Sequence, residues 1–529
     1  MAHSHRAVIQ LPSPDYKKSK YAGFVWHRTS WLVLLAALMS LSVVACASDG
    51  DDPVDAATPQ PGATAGATAS GVTSTPDANS NAGSSASTAR PTTGVDPDPT
   101  ADPNSDPVPT PSTPGRGATP VPTQSTGTGS QPDPTPEGKA GDLARIGELV
   151  SGIRELSAGG NPNVSLVDKQ RIAEELAEDF ADPDVLAEIA DLDVLLKLQG
   201  LIPQDSSLME IEQALLEGAV VGLYNHETGE LLVLVSGEEV SVKEEAVYSH
   251  EYAHLIQDAN FDLSVLYEDA KGDSEREGAL QALVEGEATF IETIYGARTF
   301  LAEDLGELLA IDPADLEVLL ATPDFLLASI SWPYTAGFGF VNSIWQQGGM
   351  SALNDVWADL PETTEQVIHP EKYLTDEYPE APPALPDMAA ILGDGWSVQD
   401  DDVLGEAYIS LWLEALGTET AVAAQAAAGW GRDGYQLLDG PGDRTAMGLL
   451  IEWDDPDTDA LQFSAAFEAV LDADAAFTRL EGDDMTIARW DGPGGILAFA
   501  LDGATGAAGV AVAPSVDEAT ALLDALVDG

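Results

Sequence analysis

The sequence predicts an α+β protein in which a mainly helical part, residues 139–399, precedes a smaller α+β part, residues 400–529. Through most of the first part, apolar residues recur at the three- and four-residue spacing of amphipathic helices. After about residue 400, helical runs alternate with strand-like runs such as Thr445–Trp453. A chain of 529 residues is too long for one ordinary core, so we expect two folded domains.

The first 46 residues have the composition of an export signal. Trp31–Ala45 is a largely apolar run of fifteen residues, and basic residues precede it. A run this short falls below the ~20 residues that a membrane-spanning helix needs, which indicates a signal peptide. Its ending, Leu41–Cys46, resembles a bacterial lipobox. This resemblance implies cleavage before Cys46 and lipidation of its thiol, and therefore an extracytoplasmic protein held on the membrane by a lipid anchor.

Residues 47–138 are predicted to form a disordered linker. They consist mostly of Pro, Ser, Thr, Gly, Ala and Asp, and they contain almost no large apolar side chains from which a core could form. Such a segment is expected to act as a tether between the anchor and the folded part.

The charge of the chain excludes one class of partner. There are 22 Lys and Arg residues against 89 Asp and Glu residues, which gives a net charge of −67. A surface this acidic repels nucleic acid and anionic lipid headgroups, so we expect no nucleic-acid partner.

The motif with the clearest chemistry is His250-Glu251-Tyr-Ala-His254. Residues four apart lie on one face of a helix, so both imidazoles can reach one metal ion with Glu251 beside them. Two histidine ligands, a carboxylate held back as general base and an open position for water are the parts of a zinc hydrolase. The apolar runs Ala219–Tyr224 and Glu230–Val235, which flank a glycine-containing turn, predict a β-hairpin or small sheet just before this helix.

The third ligand is expected to be a carboxylate, because only His226 and His369 remain in the predicted mature chain. We read His226 as a solvated turn residue. A second predicted helix, Glu277–Ile291, offers Glu285 and Glu287, which point in nearly opposite directions, so only one can face the metal.

The combination of His250-Glu-x-x-His254 with Glu285-Gly-Glu-Ala288 resembles the gluzincin metallopeptidases, in particular the aminopeptidase-N-like branch. The resemblance implies a zincin-like catalytic domain over residues 139–399 and Glu285 as the third zinc ligand. The interval from His254 to Glu285 is longer than the about twenty residues usual in the family. Glu275 fits that interval better but lies in a polar run, so we favour Glu285, with residues 261–276 as an inserted loop.

The segment Pro333-Tyr334-Thr-Ala-Gly337 resembles the Pro-Tyr-x-x-Gly segment that opens a helix in the same enzymes. Carried onto this sequence, the resemblance implies that the Tyr334 hydroxyl donates a hydrogen bond to the oxyanion of the tetrahedral intermediate. Residues 201–373 also resemble a group of poorly characterised bacterial HExxH lipoproteins. In that region His369 could approach the site as a proton donor, but we expect it to have a structural or rim role.

These observations predict a surface-anchored zinc peptidase that cleaves peptide or protein substrates. Nothing in the chain resembles the Gly-x-Met-Glu-Asn segment of aminopeptidases, which favours an endopeptidase. The alternative is a non-catalytic binding or adhesion lipoprotein that keeps the gluzincin scaffold, and a zinc hydrolase of non-peptide substrates is a third possibility. The presence of Glu251 argues against the scaffold, since a structural zinc site has no use for a general base.

Overall fold

The computed structural model describes residues 139–527, apart from 161, 220, 221, 235, 236, 238, 376 and 483–485. The predicted signal peptide, the lipidation site Cys46 and the predicted linker lie outside the described residues. Among the described helices, none has the combination of length and apolar character required to cross a bilayer.

The fold is a mixture of helices and strands, which confirms the predicted α+β class. The helices are α1 Lys139–Arg154, α2 Lys169–Asp179, α3 Pro183–Gln199, α4 Leu208–Ala219, α5 Val242–Phe261, α6 Leu263–Ala270, α7 Ser274–Thr299, α8 Leu305–Leu308, α9 Pro313–Ala321, α10 Asp324–Val356, α11 Thr364–Ile368, α12 Pro370–Leu374, α13 Met388–Leu392, α14 Gly405–Ala415, α15 Thr420–Ala427, α16 Asp459–Ala473 and α17 Val516–Val527. The strands are β1 Asn163–Val167, β2 Gly222–Asn225, β3 Glu230–Leu234, β4 Ser397–Asp402, β5 Trp430–Gly440, β6 Arg444–Trp453, β7 Thr478–Arg479, β8 Ala488–Gly492, β9 Gly495–Leu501 and β10 Ala508–Ala513.

A small sheet precedes the helix that carries the HExxH motif. Strands β2 and β3 form the predicted antiparallel hairpin, and β1 pairs parallel to β3, giving the order β1-β3-β2. The side chain of Asn225 holds the turn, because its Oδ1 accepts hydrogen bonds from the backbone N–H groups of Glu227 and Thr228. The periodicity of residues 165–199 predicts helix throughout, which is wrong for β1, since pairing with the distant β3 decides its conformation.

The C-terminal part is built on a seven-stranded sheet of order β4-β5-β6-β10-β9-β8-β7, with every neighbouring pair antiparallel. Alternate residues of β6 face opposite layers. Leu449 and Ile451 join the large core shared with the helices of the first part, whereas Ala446 and Leu450 pack in the layer formed with α17. The large core thus includes residues from both parts of the chain.

Several buried carboxylates meet where the start of α7 approaches β4. Asp402 is partly buried and accepts a hydrogen bond from the Ser274 hydroxyl. Burial, together with the charges of Asp400 and Asp273, raises the pKa of Asp402 to about 8. Glu277 is also buried, and burial holds its pKa well above the usual value. Two further charged groups lie nearby. Glu188 interacts with Glu277, and Arg276 interacts with Asp273.

This cluster predicts a protein that is more stable in mild acid than in weak base. Asp402 keeps its proton in the folded state up to about pH 8 but loses it near pH 4 when unfolded, so folding loses about 1.4 kcal/mol per pH unit in that window. Asp402→Asn mimics the neutral form. We measure the free energy of unfolding of both proteins by chemical denaturation. We expect the difference between variant and parent, in favour of the variant, to grow by up to about 4 kcal/mol from pH 5 to pH 8. A difference in the free energy of unfolding that does not change with pH would contradict this prediction.

Candidate metal centre

The HExxH motif lies on α5, a helix whose beginning is fixed by its own sequence. Ser241 and Glu244 form a capping box, in which each side chain accepts a hydrogen bond from the backbone N–H of the other residue. His250 and His254 lie on the buried middle of this helix. The side chains that the sequence predicts to bind a metal are therefore held in the core rather than on the surface.

Three predicted ligand atoms converge between α5 and α7. His250 Nε2 lies 3.1 Å from His254 Nε2 and 3.2 Å from Glu285 Oε2. Glu285 Oε2 is also 3.4 Å from His254 Nε2. All three side chains are buried, and among the described residues they are the one group of three or more His, Cys, Asp or Glu side chains whose ligand atoms lie this close together.

The hydrogen bonds around His254 determine its tautomer. Gln257 Nε2 donates to the backbone carbonyl of Val284, at 2.9 Å, so Gln257 Oε1 faces His254 Nδ1, also at 2.9 Å. An amide oxygen can only accept, and Nδ1 must therefore carry the hydrogen. This leaves the lone pair of Nε2 directed at His250 and Glu285. Gln257 was not predicted from the sequence, although its position three residues after His254 places it on the same face of α5.

His250 is oriented in the same way by Glu292. The Glu292 Oε2 atom lies 3.2 Å from His250 Nδ1, and a carboxylate at this nitrogen favours the tautomer whose Nε2 is free to bind a metal. Burial lowers the pKa of His250, but the hydrogen bonds and charges of Glu285 and Glu292 outweigh burial and raise it to about 10. The surroundings of His250 therefore favour a positive charge at this position.

Glu285 is held by a chain of polar side chains from α6 and α7. Gln281 Nε2 donates to Glu285 Oε1 at 2.9 Å, and the Tyr267 hydroxyl donates to Gln281 Oε1 at 2.7 Å. The prediction that residues 261–276 form an inserted loop is wrong, because they contain α6, which carries Tyr267. Most of this segment is thus helical, and its Tyr267 holds Gln281, which in turn donates to the predicted third ligand.

Glu251 lies beside the three ligands and under strand β2. Its Oε2 accepts a hydrogen bond from the backbone N–H of Tyr224 at 2.8 Å, while its Oε1 has no partner among the described residues. Burial raises the pKa of Glu251. The strand comes this close because Gly222 has no side chain, since a β-carbon there would lie 2.7 Å from Val247 and 3.3 Å from the Glu251 side chain.

Tyr334 reaches the same place from α10. Its side chain is buried, its hydroxyl is hydrogen-bonded to Glu285, and its ring centroid is 6.0 Å from that of His250. Burial, followed by the charges of Glu285 and Glu251, holds the pKa of Tyr334 well above its usual value, so the hydroxyl is a proton donor. The resemblance implies that this segment opens a helix, but α10 begins at Asp324 and Pro333 lies inside it.

The two other candidate carboxylates lie elsewhere. Glu275 is buried and accepts hydrogen bonds from the backbone N–H and the hydroxyl of Thr364. Glu287 forms a buried ion pair with Arg154, at 2.6 Å, and accepts a hydrogen bond from the Trp357 indole. Both glutamates are thus engaged by other partners, and neither belongs to the converging group.

The remaining predicted histidines are not in the group either. His226 is partly buried rather than solvated, because its ring stacks on Tyr267 with centroids 5.3 Å apart and its Nδ1 lies 3.0 Å from the Ser264 hydroxyl. His369 hydrogen-bonds Glu406 through Nε2 at 2.9 Å, and this bond raises the pKa of His369.

The converging residues fit zinc. Bonds of about 2.0–2.1 Å in a tetrahedral site separate neighbouring ligand atoms by roughly 3.3 Å, and the three observed separations are 3.1, 3.2 and 3.4 Å. Two imidazole nitrogens and one carboxylate oxygen are also a donor set that zinc prefers in catalytic sites. The fit to zinc depends on all three ligand atoms and on the hydrogen-bonding side chains that orient them.

Comparison with known proteins gives one match, which covers a part of the chain. Residues 395–523 match the model of a domain of unknown function, DUF8575. This region comprises the seven-stranded sheet and lies outside the residues of the metal centre. No curated protein and no solved structure matches the chain.

Proposed function

We propose that this protein is a zinc-dependent endopeptidase of gluzincin type, with His250, His254 and Glu285 as the zinc ligands. The observation that carries the proposal is the convergence of these three buried ligand atoms beside the free oxygen of Glu251. Zinc, when bound there, supplies a Lewis acid that lowers the pKa of water towards about 7 and polarises a carbonyl.

Glu251 acts as the general base in this proposal. Its Oε2 is held by the backbone of Tyr224, so its position is fixed before the substrate arrives. Its Oε1 is free to accept the proton of the attacking water and then to deliver it to the amine that leaves. A site whose metal served only to stabilise the fold would not need this second oxygen to be free.

Tyr334 is proposed to stabilise the oxyanion. Its hydroxyl already lies against Glu285 and stays protonated because of burial, so it can donate a hydrogen bond to negative charge that develops next to the ligands. Strand β2 is the last strand in the order β1-β3-β2 and passes over Glu251, and we propose that an extended peptide substrate lies beside it.

The proposal includes a zincin-like arrangement of the first part, in which the β1-β3-β2 sheet adjoins the HExxH helix and α7 supplies the third ligand. It also includes an extracytoplasmic location, with lipidated Cys46 as the anchor and residues 47–138 as the tether. The role of the region that matches DUF8575 is not assigned by this proposal.

Cleavage by the zinc-loaded full chain and by its Glu251→Gln variant tests the proposal. The variant keeps the ligands and the size of the side chain but removes the base, so we expect zinc binding to be retained and the kcat for quenched peptides to fall by at least about 100-fold. The matched control is Glu481→Gln, which removes an exposed carboxylate of the C-terminal part and should keep full activity. If both the parent and the variant bind zinc and neither cleaves peptides, the peptidase assignment is wrong, and the binding scaffold or a zinc hydrolase of non-peptide substrates takes its place.

A further inference from the structure

The segment between α7 and α10 exposes an unusual number of leucines. Leu305 and Leu309 lie four residues apart in and just after α8, and Leu316 and Leu320 lie four residues apart on α9, so each pair shares one face. Leu320 is the most exposed of them at 80%. None of the residues of α9 is fully buried. We call the exposed set the leucine patch, and its members are Leu301, Leu305, Leu309, Leu316 and Leu320.

Acidic residues are interspersed among the leucines along the segment that carries the leucine patch. The twenty residues from 301 to 320 contain six carboxylates and no Lys or Arg. An exposed apolar surface with polar and charged residues around it is typical of a binding site, and here the charged residues of the segment itself are all acidic. The carboxylates are Glu303, Asp304, Glu307, Asp312, Asp315 and Glu317.

The leucine patch is attached to the first turn of the metal-binding helix. Glu307 Oε1 accepts a hydrogen bond from the backbone N–H of Val242, and Lys243 Nζ donates to the backbone carbonyl of Ala310 at 3.3 Å. His250 lies about 12 Å further along α5, at a rise of 1.5 Å per residue. About four residues of extended peptide span that distance.

We infer that the leucine patch is a docking site for cationic amphipathic peptides, and that such peptides are the substrate class of the metal centre; the second statement rests on the proposed function. An amphipathic helix can place its apolar face on the leucines while its Lys and Arg side chains pair with the surrounding carboxylates. Charge argues against other occupants. Anionic lipid headgroups would be repelled, and a second copy of the chain would bring two acidic surfaces together.

The test measures binding without turnover. The Glu251→Gln full chain is titrated, by fluorescence anisotropy, into three labelled peptides of about 18 residues, or five helical turns. One has leucine on one face and lysine on the other, one is its scrambled version, and one has glutamate in place of lysine. We expect the first peptide to bind at least about tenfold more tightly than the other two. Equal affinities for all three would overturn the proposal.

Variants locate the site of binding. Serine at Leu305, Leu309, Leu316 and Leu320 together is expected to weaken binding of the cationic amphipathic peptide by at least about tenfold. The matched control is Leu461→Ser with Val422→Ser, which replaces exposed apolar side chains of the C-terminal part and should leave binding unchanged. A second pair, Glu303→Lys and Glu317→Lys, keeps the leucines and should weaken binding through charge alone. Undiminished binding in both the serine and the lysine variants would overturn the proposal.

Two further measurements separate the proposal from its competitors and from the proposed function. If the leucine patch mediates self-association, or binding to zwitterionic phosphatidylcholine vesicles, and no peptide binds, the inferred partner is wrong. Compared with the parent, the serine variant should have a lower kcat/KM for the cationic amphipathic peptide and an unchanged kcat/KM for a short neutral peptide. If peptides bind at the patch and the parent cleaves none, docking stands while both the substrate statement and the proposed peptidase function fail.

Discussion

Replacing Glu285 by alanine is expected to abolish zinc binding by the full chain. Glu285 supplies one of the three converging atoms, and its loss leaves two histidine nitrogens in a pocket with one fewer negative charge. Loss of an outer partner of a metal ligand weakens binding by 10- to 100-fold, and loss of a direct ligand should exceed that range. Competition with a chromophoric chelator measures the affinity. Glu285→Gln serves as a second variant, because glutamine keeps the volume of the side chain and still offers Gln281 a polar partner.

The matched control is Glu275→Ala. Glu275 is also a buried glutamate of α7, but its hydrogen bonds are with Thr364, so its loss should destabilise the fold without affecting zinc affinity. Retained zinc in Glu285→Ala together with lost zinc in Glu275→Ala would reverse the assignment of the third ligand.

Replacing Gly286 by alanine is expected to be one of the most destabilising single substitutions in the chain. Gly286 of α7 faces Gly337 of α10, and an added β-carbon would overlap the Gly337 carbonyl and lie 2.6 Å from its Cα. Backbone cannot move aside as a side chain can, so α7 and α10 must separate. We expect a loss of more than about 3 kcal/mol in the free energy of unfolding, measured by chemical denaturation. The proposed peptidase activity should also fall, since α7 carries Glu285 and α10 carries Tyr334.

Gly339→Ala gives the opposite expectation on the same helix. Gly339 lies inside α10 with nothing within 4 Å of an added β-carbon. Alanine should therefore stabilise the protein by about 0.5–1 kcal/mol through its helix propensity. If Gly286→Ala and Gly339→Ala had similar effects, close approach of the two helices would not be the reason for Gly286.

The parts of the site predicted from the sequence depend on local spacing or on resemblance. Two histidines four residues apart must share a helix face, so the proximity of His250 and His254 followed directly from the helix. Glu285 came from the Glu-Gly-Glu-Ala resemblance and not from its distance along the chain. Helical spacing places Gln257 three residues after His254, and Glu292 seven residues after Glu285, on the faces that carry the predicted ligands. Nothing in the sequence, however, links either residue to a histidine nitrogen.

The features that the sequence did not predict depend on long-range packing. Strand β1 forms through pairing with β3, more than sixty residues later. Strand β5 has Gly, Arg and Asp near its start, and β10 has only small residues, so neither shows an alternating pattern. The burial of Glu275 and Glu287 could not be predicted from the sequence, because their partners Thr364, Arg154 and Trp357 lie on other segments of the chain.

Zinc-edge X-ray absorption of the zinc-loaded full chain tests the proposed metal centre most directly. We expect one zinc per chain with nitrogen and oxygen neighbours at about 2.0–2.1 Å, including two imidazoles, and loss of this signal in Glu285→Ala. Absence of bound zinc would contradict the account. So would a sulfur neighbour at about 2.3 Å, because Cys46 is the one cysteine in the chain and is not among the proposed ligands.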